Sequence, residues 1–138
     1  MESKHLGRGK VVLLDSSVLI WTLVDSGKLG LRFRQRIEKL GWAYYSPLST
    51  FELNLAHLSG KAPQLPEDFT NKLSSLALAE LPYSQEASEA SKELSQLFRS
   101  DPFDWMLLSQ AMAADCDFYT SDQRLLALGL DFVKDATR

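Results

Sequence analysis

The chain has 138 residues, 45% hydrophobic and 24% charged, with a formal net charge of −3. That balance is ordinary for a globular domain able to bury its own core, and it excludes a disordered chain and a global basic field for nucleic acid. Cys116 is the only cysteine, which excludes an intrachain disulfide, and no run reaches the roughly 18 consecutive apolar residues of a membrane span.

The expectation is one domain over residues 1–138, with its core at about 11–133, no membrane association and a cytoplasmic location. "MESKHLGRGK" at the N-terminus is charged and lacks the apolar stretch of a secretory signal. "KVVLLD" (10–15) is a short aliphatic run and predicts a strand buried on both faces, as in parallel sheets. "SSVLIWTLVD" then predicts a short helix capped by Ser16 or Ser17. Over 29–41, Leu29, Phe33, Ile37 and Leu40 recur at helical spacing and Gly41 stops the helix. Arg32, Arg34, Arg36 and Lys39 fall mainly on its other side and read as a solvated face, with an RNA-contact patch as the alternative.

"AYYS" (43–46) predicts a second strand, ended by Pro47. A helix over 49–60 follows, with Ser49 at the N-cap, and a loop at 61–66 leads to another helix at about 67–80. "ELPYS" (80–84) is a candidate third strand. A helix over 85–98 would turn Ala87, Ala90, Leu94 and Leu97 to the core. In "SDPFDWMLLSQA" (100–111), Asp101 is the expected N-cap, Pro102 sits where a missing N–H costs nothing, and Asp104 falls three residues after the cap. "CDFYTSD" (116–122) predicts a fourth strand, with a small buried thiol at Cys116, then a short helix over 123–128. "LDFV" (130–133) is a candidate closing strand. Strands alternating with helices give the α/β class, a mostly parallel sheet of four to five short strands with helices on both faces.

In such sheets ligands bind beyond the carboxyl ends of the strands. Asp15 ends the first strand, Asp122 follows the fourth, and Glu52 and Asp104 each fall in the first turn of a helix. Each has a structural explanation. Asp15 suits a loop or a cap, Glu52 completes the capping box "STFE", and Asp122 suits the cap of the helix after it. Asp104 is different, because it shares a face with Leu107, Leu108 and Ala111. A buried carboxylate needs a partner, and no lysine or arginine stands locally to supply one. Four carboxylates converging without basic partners would repel one another. A hard divalent ion, Mg²⁺ or Mn²⁺, removes the conflict, and such ions catalyse phosphodiester cleavage. His5 and His57 belong to no constellation and read as surface or structural histidines.

These segments resemble the PIN-domain ribonucleases, most nearly the VapC-type toxins of bacterial toxin–antitoxin pairs. The resemblance runs from about Val11 to Phe132 through "LLDSSVLIW", "SPLSTFELNLAHLSGK", "DPFDWMLLSQAMA" and "FYTSDQRL", in family order. It implies a PIN-like three-layer sandwich and a Mg²⁺- or Mn²⁺-dependent endoribonuclease acting on RNA. It also implies a homodimer and a cognate antitoxin that blocks the cleft. The family's acidic site carries over to Asp15, Glu52, Asp104 and Asp122 as catalytic metal ligands, with Ser16 and Thr120 as supporting hydroxyls. Two positions depart from the pattern. Trp105 stands where many relatives carry an arginine, and Ala56 where many carry a lysine. Trp105 reads as a core or dimer-interface aromatic, with an RNA-stacking surface as the alternative.

Both departures motivate a second reading, a PIN-like module that binds RNA or protein without cutting. A phosphatase or phospho-accepting domain ranks third. An aspartate-nucleophile phosphatase would want a second acid at Ser17, and a receiver would want an acid pair near the first strand, where only Asp15 stands.

Overall fold

The computed structural model of the protein describes residues 10–138. His5 and the charged N-terminal stretch lie outside the described residues.

Five short strands form one sheet: β1 (Val12–Leu14), β2 (Ala43–Tyr45), β3 (Leu78–Glu80), β4 (Asp117–Thr120) and β5 (Val133–Asp135). Their order is β3-β2-β1-β4-β5, and every adjacent pair is parallel. The helices are α1 (Ser16–Leu23), α2 (Leu31–Leu40), α3 (Pro47–Leu58), α4 (Phe69–Ser75), α5 (Gln85–Ala90), α6 (Pro102–Ala113) and α7 (Gln123–Leu126), with a 3-10 segment at Ser91–Leu97. Among the described residues no helix is long and apolar enough to cross a membrane.

The aliphatic run of β1 explains its central place. Side chains alternate along a strand, so Val12 and Leu14 enter a core with Leu19, Phe33 and Leu73, while Leu13 enters a second core with Leu94, Leu107, Leu108 and Leu125. All three β1 residues are buried. The first core is roofed by α1, α2 and α4, the second by α6, α7 and the 3-10 segment, which makes an α/β/α sandwich. The chain lays β2 and β3 on one side of β1, then crosses back to lay β4 and β5 on the other. This reversal puts a crevice between the carboxyl ends of β1 and β4, the usual ligand position in open parallel sheets.

Several expected boundaries move. The third strand lies at 78–80 rather than 80–84, because Pro82 has no N–H to continue the ladder and the Leu81 N–H makes the last bond, to the Tyr45 carbonyl at 2.8 Å. The helix expected through to residue 80 therefore ends at Ser75, and Ala77, in the left-handed region at φ 57°, turns the chain into β3. The closing strand lies at 133–135 rather than 130–133, because Phe132 is tucked into the second core and the ladder with Phe118 begins at Val133. The helix expected over 85–98 breaks after Ala90. Leu94 leaves helical geometry (φ −117°, ψ 37°), and the resulting 3-10 path buries both Leu94 and Leu97.

The basic side of α2 is solvated only in part. Arg32 and Lys39 are exposed. Arg36, however, donates to Asp117 at 2.9 Å and to the Lys10 carbonyl at 2.6 Å, tying α2 to the start of the sheet. Arg34 donates to Asp25 and to the carbonyls of Ser26 and Leu29, closing the loop before its own helix.

Candidate active site

Asp15 is the first residue after β1, and its backbone is still extended, at ψ 161°. That makes it, rather than Ser16 or Ser17, the cap of α1. Its Oδ1 accepts the Ser16 N–H at 2.8 Å and its Oδ2 accepts the Thr120 hydroxyl at 2.6 Å. The same Thr120 oxygen accepts the Asp122 N–H at 3.0 Å. Thr120 is fully buried at the end of β4, so one hydroxyl fixes the acids of the two central strands relative to each other. Asp15 is 7% exposed, and its burial, outweighing these bonds, pushes its pKa above the ordinary aspartate value.

Glu52 comes from α3, which begins three residues earlier than its sequence suggests. Ser46 is the N-cap and accepts the Leu48 N–H at 3.1 Å, with Pro47 as first helical residue. Proline suits that position because the missing N–H has no helical partner there. The box "STFE" therefore caps nothing: Ser49 lies inside the helix and Glu52 a full turn beyond its start. Released from that role, Glu52 Oε1 accepts the Ser16 hydroxyl at 2.7 Å, and Ser16 Oγ also lies 2.9 Å from Ser49 Oγ. The single Ser16 proton serves one of these neighbours at a time. Burial, with the charge of Asp15, raises the Glu52 pKa.

Asp104 enters from α6. Asp101 caps this helix, accepting the Phe103 N–H at 2.9 Å, and Pro102 is its first residue, as the sequence predicts. This start aims Asp104 inward, where it is 9% exposed. Among the described residues nothing donates a hydrogen bond to its carboxylate. Burial, then the charges of Asp15, Asp101, Glu52 and Asp122, raise its pKa to about 7.

Asp122 caps α7 through the Arg124 N–H at 2.9 Å. The Arg124 guanidinium also grips this carboxylate, Nε to Oδ1 at 3.2 Å and Nη2 to Oδ2 at 2.7 Å, and lowers its pKa. Arg124 Nη2 lies 3.8 Å from Asp104 Oδ2 as well. The expectation that the acids converge without a basic partner is therefore corrected. The arginine is two residues along from Asp122 but twenty from Asp104, so only the tertiary fold, which sets Leu125 of α7 in one core with Leu107 and Leu108 of α6, brings it there.

The two departures resolve differently. Trp105 is half-buried against the second core: its indole N–H donates to the Ser91 carbonyl at 3.0 Å, and its ring stands edge-on to the exposed ring of Phe98. Ala56 lines an open cleft of about 670 Å³ that runs from Glu52 and Asp101 past Phe103 to Lys61. Cys116 is buried, as expected. His57 Nδ1 lies 3.1 Å from the Ala62 carbonyl, a local tie at the end of α3.

Among the described residues no three carboxylate, imidazole or thiol groups stand close enough to grip one ion as placed. The donor chemistry nevertheless fits a hard divalent cation. Asp15, Glu52 and Asp104 are oxygen donors whose pKa values are all raised, and among the described residues no hydrogen bond is donated to Asp104.

A family model described as the PIN domain matches residues 12–129. No curated protein matches the sequence. Three solved structures share the fold. The chain is 15% identical to a chain of VapBC2 from Rickettsia felis bound to a promoter DNA fragment, covering 86% of this chain and 93% of that one with a TM-score of 0.63. It is 20% identical to a chain of a toxin–antitoxin complex from Klebsiella pneumoniae, covering 91% and 97% with a TM-score of 0.60. It is 18% identical to a chain of DNA-bound VapBC from Salmonella typhimurium, covering 86% and 91% with a TM-score of 0.57.

Proposed function

Because the chain belongs to the PIN-domain family, we propose that it is a Mg²⁺- or Mn²⁺-dependent endoribonuclease, the toxin of a toxin–antitoxin pair. One observation carries this reading: Asp104, a buried carboxylate with no hydrogen-bond donor, faces Asp15, Glu52 and Asp122. Asp15, Glu52 and Asp104 would hold the ion, with Asp122 as the fourth acid. When bound, the ion supplies positive charge that offsets the carboxylates and polarises a phosphate ester and its attacking water.

The chain's own groups do the positioning. Thr120 and the Ser16 N–H orient Asp15, the Ser16 hydroxyl orients Glu52, and the Asp101–Pro102 start of α6 orients Asp104. Pre-set ligands of this kind lower the reorganisation needed at reaction. The open cleft from Glu52 and Asp101 to Lys61 would take part of an RNA strand beside Glu52. Beside it, α3 exposes Phe51, Leu55 and Leu58 on one stripe, a surface suited to the apolar segment of an antitoxin or to a second copy of the chain.

The test is cleavage of total cellular RNA. Asp104→Asn should reduce divalent-dependent cleavage by at least about 100-fold and relieve growth arrest on expression. EDTA should stop the wild type, and Mn²⁺ should restore it. Full activity in the variant would sink the proposal. The hold of Arg124 on Asp122 favours a second reading, a PIN module that binds RNA or protein without cutting. Tight partner binding with no cleavage in either Mg²⁺ or Mn²⁺ would establish it.

A further inference from the structure

Arg124 stands out among the cations of the described residues. Its backbone N–H, Nε and Nη2 all engage the Asp122 carboxylate, and Nη2 also reaches within 3.8 Å of Asp104. The two acids lie on different elements, the cap of α7 and the first turn of α6. A side chain that touches both while remaining 77% exposed is a surface arm folded over an acidic site. A core ion pair would be buried, as Arg36 with Asp117 more nearly is. The exposed stem lets the arm leave without disturbing any packed neighbour.

We propose that Arg124 is the built-in counter-ion of the acidic site, and that a divalent cation entering the site competes with its guanidinium for Asp122 and Asp104. This rests on the reading that these acids bind a hard divalent ion. The competition follows from lone-pair use. Asp122 Oδ1 and Oδ2 both accept from Arg124, so an ion that takes either oxygen must loosen the fork. A positive guanidinium beside Asp104 also repels the incoming ion until it swings outward. Arg124 is thus a positioning residue: its positive charge offsets the mutual repulsion of Asp122 and Asp104 when no ion is present, and it sets the ion concentration at which the site fills.

The experiment is calorimetric titration of Mn²⁺ into the full-length wild type, Arg124→Ala and Arg124→Lys, with melting temperatures in EDTA and in Mn²⁺. Arg124→Ala should bind Mn²⁺ about three- to fivefold tighter. It should melt lower than wild type in EDTA and gain more from the ion. Arg124→Lys keeps the charge but loses the two-pronged grip, so its affinity should fall between the other two. A merely structural arginine would give the opposite sign, with weaker Mn²⁺ binding on its removal. Unchanged or weaker binding in Arg124→Ala overturns the inference, and so does a lysine variant indistinguishable from wild type. A wild type that binds Mn²⁺ and cleaves RNA, with no gain in Arg124→Ala, sinks this inference alone. A wild type that neither binds Mn²⁺ nor cleaves sinks the nuclease reading with it.

Discussion

Asp104 carries an electrostatic cost that comes from its place among other acids. Its carboxyl is buried among other acids and titrates at about 7, well above the ordinary aspartate value of 3.8. Between those values the folded state keeps a proton that the unfolded chain has released, so stability falls as pH rises through this window. Asp104→Asn removes the titration. At pH 8 and without metal it should be more stable than wild type by about 2 kcal/mol, half of the roughly 4 kcal/mol that such a shift allows before solvent screening. Near pH 4 the difference should vanish. Urea melts at the two pH values check both points, and equal stability at pH 8 would show that the ionised Asp104 carboxylate costs the fold nothing. The same group makes ion binding pH-dependent, because the ligand must lose its proton first.

At the scale of the element, small shifts of a helix start decide which side chains reach the site. Ser46 and Pro47 begin α3 three residues before the Ser49 start that the local pattern favours. This carries Ser49 and Glu52 out of the capping role and into contact with Ser16. The pattern S-x-x-E was legible, but Ser-Pro just upstream is the stronger start signal, since proline at the first helical position loses nothing. Ser46 is fully buried and its oxygen has a defined N–H partner. Ser46→Ala should therefore lower stability by about 1–2 kcal/mol in thermal melts. Ser49→Ala, which leaves the cap intact, should cost less. The start of α6 behaves as its sequence predicts, because cap, proline and acid fall in one unambiguous order there.

For the whole molecule, the parallel order β3-β2-β1-β4-β5 places Asp15 and Asp122 on either side of one crevice. The far edge depends on the final residues. The Gly30 N–H donates to the Ala136 carbonyl at 2.9 Å and the Phe33 N–H to the Arg138 carbonyl at 3.1 Å, so the segment after β5 covers the start of α2. A Cβ at Gly30 would overlap the Arg138 backbone. Gly30→Ala should thus cost about 1–3 kcal/mol and speed amide exchange over residues 133–138. Wild-type exchange in that segment would show that the tail does not rely on the missing Cβ.

The sequence by itself determined the α/β class, the central place of the β1 run, the cap and inward aim of α6, and which four acids to compare. Each of these follows from local chemistry: a continuous aliphatic run, helical periodicity, and capping residues within a few positions of the elements they cap. Only the tertiary structure decided the rest. It put Arg124 between Asp122 and Asp104, turned Arg36 from a solvated face to Asp117, and bound Trp105 to the Ser91 carbonyl. It also moved the third and fifth strands to the registers set by Tyr45 and Phe118. Those outcomes depend on contacts between residues far apart in the chain, and no local pattern carries them.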